Sequence, residues 1–338
     1  MPVATIGLDL AKNVFQVHGV DADGQVVLRR KLRRSEVLRF FEALPACLVG
    51  MEACATAHHW ARALSALGHA VRLMPPAYVK PYVRRQKNDA VDAEAICEAV
   101  MRPTMRFGPT KSARNARACG FSTAADVRQR TMLINAVRGH CAEFGLIAPQ
   151  GALRVTELVA QIRSADDGRL PALLRSALLL MADQLNALTA QINLLGRTLL
   201  AWHRQDEASQ RLATIPGVGI ITATALSATV TDPSAFRSGR EFAAFLGLVP
   251  RQNSSGGKER LGRVSKMGDR YLCKLLGVGA TSVIRRARSS TNGAAAWIRS
   301  LLERRPARVV TVAMANKTAR IAWAVLARKD VYRALGHA

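Results

Sequence analysis

The sequence predicts a mixed α/β N-terminal domain, a long helical connector and a mostly α-helical, strongly basic C-terminal domain. Three observations carry this. Strands alternate with helices after an opening hairpin in the first seventy-five or so positions. Apolar residues recur every three or four positions from Leu170 to Trp202. The charge is concentrated at the far end. From Ser234 to Ala338 there are 21 Lys/Arg against 5 Asp/Glu, so less than a third of the chain carries +16 of its net +25.

Thr5–Val20 reads as a strand, a tight turn and a second strand, with Ile6, Leu8 and Leu10 alternating onto one face. Asp21–Gly24, DADG, is a hairpin signal, and Gln25–Leu32 is the expected third strand. Ser35 is positioned to N-cap a short helix carrying Leu38, Phe41 and Leu44. Cys47–Met51 reads as a buried strand, Ala57–Leu67 as a helix, and Ala70–Met74 as a strand stopped by Pro75-Pro76. From Ala90 the pattern turns helical, with an amphipathic segment over Arg128–Phe144 that Pro149-Gln150-Gly151 breaks. Arg114–Val127 has no clean period and contains Gly120. Leu170–Trp202 suits one long helix packed on a partner, either a core helix or a dimerisation arm through Leu178, Leu185, Ile192 and Leu199.

A net charge of +25 on 338 residues points to a polyanionic partner, because each neutralised phosphate releases counterions. It argues against a small-molecule enzyme, and the chain is neither small nor of low complexity, unlike most basic ribosomal or chromatin proteins. No membrane partner is expected, since no apolar run reaches the roughly 18–20 residues of a span. The N-terminus MPVATIGLDLAK has no signal-peptide pattern. Cys47, Cys54, Cys97, Cys119, Cys141 and Cys273 are scattered without a CxxC pair, which disfavours zinc and a disulfide framework. Reduced thiols in the cytoplasm are expected.

Four acids occupy places that phosphodiester chemistry would use. Asp9 lies on the first strand in GLDLAK, Glu52 follows a buried strand in GMEA, and Asp89 and Asp92 open a helix in KNDAVDAEA. Their spacing of three puts the last two on one helix face. Carboxylates from separate elements can hold two Mg²⁺ ions about 4 Å apart, which clamp the attacking and leaving oxygens. Against this, a lone strand-end Asp is usually a solvated residue and Asp89 could simply cap its helix. Glu52, among apolar neighbours, needs a partner.

Two further segments stand out. Leu212–Leu226, LATIPGVGIITATAL, reads as helix, Gly turn, helix. Backbone amides around Gly217 and Gly219 could hold a DNA phosphate, or the segment is an ordinary turn between helices. Asn253-Ser254-Ser255-Gly256-Gly257 is an exposed hydroxyl-rich turn among Lys258, Arg260, Arg263, Lys266 and Arg270. A serine there could attack phosphate with cationic support; composition alone favours a loop that only binds phosphate.

The strings GLDLAK, GMEA, KNDAVDAEAIC, AEFGL, IPGVG, FLGLVPRQNSSGGKERLG and SKMGDRYL run in one order over nearly the whole chain. In this they resemble the DEDD-type transposases of the bacterial insertion-sequence "one-ten" family, closest to its "eleven-eleven" subgroup. The resemblance implies a RuvC-like domain of RNase H fold over residues 1–110, a coiled-coil connector over 111–207 and a transposase domain over 208–338. It assigns Asp9, Glu52, Asp89 and Asp92 to the DEDD metal positions with Mg²⁺ as cofactor, and Ser255 to the nucleophile, with Ser254 as fallback. It further implies donor and target double-stranded DNA and a structured noncoding guide RNA as partners. Assembly would be as dimers and tetramers, the RuvC-like domain of one subunit meeting the serine domain of another, at the bacterial nucleoid. Arg114–Val127 departs from the pattern, which has an uninterrupted helix there. The expected function is RNA-guided DNA cleavage and strand exchange through a covalent phosphoserine link. The alternatives are a resolvase-like metal-dependent nuclease without that link and a non-catalytic RNA-binding protein.

Overall fold

The computed structural model describes residues 2–83, 89–112, 124–151, 153–164, 168–265, 267–287, 289 and 293–333. Five strands form the N-terminal sheet: β1 (Thr5–Asp9), β2 (Val14–Val20), β3 (Val26–Arg33), β4 (Leu48–Glu52) and β5 (Ala70–Met74), in the order β3-β2-β1-β4-β5. β1, β2 and β3 pair antiparallel, while β4 and β5 run parallel to β1. The sheet is therefore mixed, as expected from a hairpin followed by crossovers.

Period-two alternation gives the sheet two unlike faces. Ile6, Leu8, Phe15, Val17, Leu32, Val49, Met51 and Leu73 are buried on one face, beneath α1 (Val37–Glu42) and α2 (Ala57–Ala66). The other face receives α4 (Asp89–Val100), after the short α3 (Pro76–Val79). Ser35 does not cap α1. It sits inside a 3-10 turn over Arg34–Glu36, where the Glu36 carboxylate instead accepts the Arg33 amide at 2.7 Å. Leu44 lies beyond the end of that helix.

Among the described residues, the middle of the chain holds three helices, α5 (Ala124–Ala142), α6 (Val155–Arg163) and the 34-residue α7 (Ala172–Gln205). Of the irregular Arg114–Val127 stretch, 124–127 opens α5, and the rest lies outside the described residues. α7 packs on its own chain: Leu178, Ala182 and Leu185 are buried with Ile134, Val137, Cys141, Leu158 and Ile162. This corrects the expected dimerisation face, since Leu178 and Leu185 are internal core. The apolar residues left outward on α7 are Leu173, Leu180 and Leu194, at 85%, 68% and 57% exposure. They lie seven and then fourteen residues apart on another side of the helix, with Ala187 at the intervening position.

The C-terminal part is one core of α8 (Glu207–Ala213), α9 (Ile220–Thr229), α10 (Gly239–Phe245), α11 (Arg270–Ala287), α12 (Gly293–Arg304) and α13 (Ala307–Arg328). Asp206 ties the first two helices together, accepting the Ser209 amide at 2.7 Å and the Ser227 hydroxyl at 2.8 Å. Asp269 caps α11 by accepting the Tyr271 and Leu272 amides at 2.8 and 3.1 Å. α13 corrects the expectation that no segment is long and apolar enough to span a membrane, because it meets both criteria. Its Val310, Met314, Ala315, Ala319, Ala322 and Val325 are instead buried in the protein core.

Candidate active site

α4 reaches the sheet because two glycines let it. Gly7 and Gly50 lie opposite each other on the parallel strands β1 and β4. A Cβ on Gly7 would meet the Ala93 carbonyl oxygen at 2.1 Å and the Cys97 nitrogen at 2.4 Å. A Cβ on Gly50 would meet the Val100 side chain at 2.7 Å. Each glycine precedes an acid by two residues, so Asp9 and Glu52 project from the same face, just past the bare strip where the helix lies. The first turn of α4 then brings Asp89 and Asp92 to them.

The four sequence-selected acids therefore share one place. Carboxylate oxygens of Asp9, Asp89 and Asp92 lie within 4.8 Å of one another. Glu52 stands beside them, half-buried. Burial is the largest cause raising its pKa, and the charges of Asp9 and Asp92 raise it further. Such a group of hard oxygen donors suits a divalent cation, which would relieve the repulsion that raises Glu52. Asp89 and Asp92 also sit at the positive end of the α4 dipole, where negative charge is favoured.

The serine segment is not a loose loop. β6 (Pro250–Gln252) and β7 (Leu261–Val264) form a two-stranded antiparallel ribbon. At its tip the Lys258 amide donates to the Ser255 carbonyl at 3.1 Å. Gly256 and Gly257 have φ of +57° and +74°, so this is a turn only glycine-like residues accept readily. Ser255 is exposed at this tip. Ser254 Oγ accepts the Arg260 amide at 3.1 Å, tying it to the ribbon backbone. Lys258, Arg260, Arg263 and Arg270 are exposed and form no ion pair among the described residues; Lys266 lies outside them. Nor does any hydrogen bond among the described residues join the ribbon tip to the acids.

The Gly turn after α8 divides into two roles. Gly217, with φ +83°, is pressed against α11, where an added Cβ would lie 2.8 Å from the Gly279 carbonyl oxygen. Its missing side chain serves packing on that side, and it also lines an open hollow with Gly219 and Arg286. Gly219 meets nothing within 4 Å and begins α9 with no side-chain cap, leaving the first amides of that helix open to a ligand.

Reasoning from the sequence missed Gly7 and Gly50, although a glycine two residues before each acid was the available signal. Comparison with known proteins agrees with the geometry. A family model for DEDD transposases of the IS110 type matches residues 6–143, spanning all four acids. A second, described as the transposase IS116/IS110/IS902 family, matches residues 209–294, spanning the serine ribbon. The chain is 50% identical to a "Probable family 20 transposase" of Pseudomonas aeruginosa, over 98% of this chain and 99% of that one. It is 39% identical to the transposase for insertion sequence element IS1111A of Coxiella burnetii, over 98% and 92%. With that for element IS1328 of Yersinia enterocolitica the identity is 38%, over 98% of both. A mixed-sheet domain bearing clustered carboxylates, a helical basic C-terminal part and these matches along the chain lead to one conclusion: the protein belongs to the IS110/IS116/IS902 family of insertion-sequence transposases and is a DNA transposase.

Proposed function

We propose that this transposase cuts and rejoins DNA through a composite centre, with Asp9, Glu52, Asp89 and Asp92 holding Mg²⁺ and Ser255 acting as nucleophile. The observation that carries the reading is the convergence of Asp9, Asp89 and Asp92 within 4.8 Å, with Glu52 beside them, in a chain of net charge +25. The sheet order β3-β2-β1-β4-β5, with one acid ending the central strand, supports a RuvC-like fold for residues 1–110. The division at 110 and 207 into that domain, a coiled-coil connector and a transposase domain belongs to the same reading.

Bound Mg²⁺ would offset phosphate charge and favour attack at phosphorus. The protein's own residues do the rest. Ser255 Oγ bonds to phosphorus as it loses its proton, a bridging P–O bond breaks, and the departing strand leaves with a free hydroxyl. The phosphoserine ester retains the bond energy needed for rejoining. Lys258, Arg260, Arg263 and Arg270 surround the phosphate and offset the charge that develops on it. Ser255 is exposed, and its ribbon offers no His and only Glu259 as an acid, so the carboxylate centre is the activator that would meet it from elsewhere. A second subunit is the natural donor. The outward stripe of Leu173, Leu180 and Leu194 would hold subunits together in dimers, with tetramers forming on DNA. A structured noncoding RNA fits the same basic surface and would select donor and target DNA.

The test is a denaturing gel of protein incubated with element-end DNA, Mg²⁺ and the element's RNA. A covalent adduct is expected, lost in Ser255→Ala and in Asp9→Asn and partly restored by mixing the two variants. Nicked DNA without adduct would replace this reading with the resolvase-like nuclease. An adduct persisting in Ser255→Ala would move the nucleophile to Ser254.

A further inference from the structure

The register of the sheet ties the carboxylate centre to a row of cations at its edge. Asp9 on β1 lies opposite Gln16 on β2, and Gln16 lies opposite Lys31 on β3. One step along, Gly7 lies opposite His18, and His18 opposite Arg29. Residues in one such row share a face. Lys31, Arg29 and Arg33 therefore project from the same face as Asp9. α4 covers β1, β2 and β4 on this side but leaves β3 open. All three cations are exposed, and none forms an ion pair among the described residues. A groove runs between them and α4, lined by Gln16, His18, Arg29, Arg30, Lys31 and Glu94, with Glu94 the acid on its α4 wall.

The remaining cations of this segment behave differently. Arg30 touches the groove, but its guanidinium lies on the opposite face over Phe40 at 5.5 Å, as that of Arg34 lies over Trp60 at 5.4 Å. Aromatic surfaces of the protein itself occupy these two. β3 thus separates its charges: two are held against the core-side helices, and three are left open beside the acids. β3 is also an edge strand of the sheet, with no strand on its outer side among the described residues.

We propose that Arg29 and Lys31, with Arg33 beyond them, form a phosphate-binding rail for the DNA strand engaged at the carboxylate centre. This rests on reading that centre as the site of DNA cleavage. Two inter-strand spacings of about 4.8 Å each separate the Asp9 and Lys31 positions. That distance corresponds to a neighbouring phosphate of the same strand, about one to three nucleotides from the one at the acids. The rail's ligand is the sugar–phosphate backbone, so it contributes register and affinity and no sequence choice. Acids alone would repel the strand they must act on, and a cationic row on the same face overcomes that repulsion.

The experiment compares two charge-matched double variants of the full chain, Arg29→Gln/Lys31→Gln and Arg30→Gln/Arg34→Gln. The DNA probe is a duplex of the sequence flanking the gene, and the RNA probe is a transcript of the same flank. Binding is measured without divalent metal across a series of salt concentrations. For the first variant, the slope of log K against log salt for duplex DNA should fall by about 1.8, two contacts at about 0.9 each. Its DNA affinity near physiological salt should drop on the order of tenfold, with its melting temperature unchanged because both side chains are exposed. The second variant should keep the wild-type slope. An unchanged DNA slope in the first variant overturns the proposal, as does an equal fall in both, which would reflect net charge alone. A fall confined to the RNA probe also overturns it, in favour of RNA on this edge. Because binding is read without cleavage, failure here is separate from failure of the cleavage reading, which Asp9→Asn decides by loss of the adduct.

Discussion

Gly7→Ala is the sharpest single perturbation of the acid centre, because it alters no charge and no metal-binding group. The added methyl would sit 2.1 Å from the Ala93 carbonyl oxygen and 2.4 Å from the Cys97 nitrogen. Both are backbone atoms in the middle of α4, so no side chain can swing aside. Ordinary contact begins near 3.5 Å, which obliges α4 to withdraw by more than about 1 Å. Asp89 and Asp92 ride on that helix, while Asp9 and Glu52 stay on the sheet. A displacement of that size costs on the order of 100-fold in rate, and overpacking costs about 1–3 kcal/mol of stability. Adduct formation and Mn²⁺ affinity by titration calorimetry should therefore both fall steeply while the protein stays folded at 25 °C. Gly196→Ala is the control, since nothing lies within 4 Å of that position in α7. Helix propensity there should raise stability by up to about 1 kcal/mol. A Gly7→Ala protein that binds Mn²⁺ and forms adduct within about twofold of wild type would refute the argument that this contact sets the site.

Three other outcomes are expected. Leu180→Lys/Leu194→Lys should lower the solution mass measured by light scattering without lowering the melting temperature, whereas Leu178→Lys should unfold the connector, because Leu178 is fully buried; a mass unchanged in the first variant would remove the stripe as an interface. Gly279→Ala places a Cβ 2.0 Å from the Gly217 carbonyl oxygen, so it should destabilise the C-terminal core by roughly 1–3 kcal/mol in urea melts; a shift below about 0.5 kcal/mol would contradict the close packing. Iodoacetamide at pH 8.5 should label exposed Cys54 quickly and spare Cys47 and Cys97, whose thiols burial pushes up to about 11; rapid labelling of either buried thiol, read by peptide mass spectrometry, would show that β4 or α4 opens readily.

Much of this architecture was legible in the sequence, for physical reasons that also mark the limit. Ile6 and Leu8 alternate because one face of β1 is core, so strands and their order of appearance could be read. The acids were legible as candidates because charged residues beside buried strands need an explanation. What makes them converge is Gly7 and Gly50, and a missing side chain leaves no periodic signal. The long helix shows another limit. Leu178 and Leu185 lie seven residues apart, and Leu173, Leu180 and Leu194 lie seven and then fourteen apart. Periodicity reports that a stripe exists, but which stripe meets the chain's own helices depends on where α5 and α6 pack. Ser35 failed as a cap for a local reason: Glu36 reaches back to the Arg33 amide and starts a 3-10 turn instead.

The ribbon at Pro250–Val264 has a consequence for how this protein withstands thermal fluctuation. Its cross-strand bonds are few, and nearly every residue is open to solvent. Two strands without a third, or a helix to cover them, are marginal by themselves. Amide hydrogens from Arg251 to Arg263 should therefore exchange by local opening, orders of magnitude sooner than those of α11 and α13, whose exchange requires cooperative loss of the C-terminal core. The segment bearing the serine then sits on its own free-energy scale. Its opening costs the remainder of the molecule nothing, and its ordering is supplied when a polyanion settles on it. Protection of these amides should rise on adding nucleic acid, while that of the buried helices, already at the global limit, changes little.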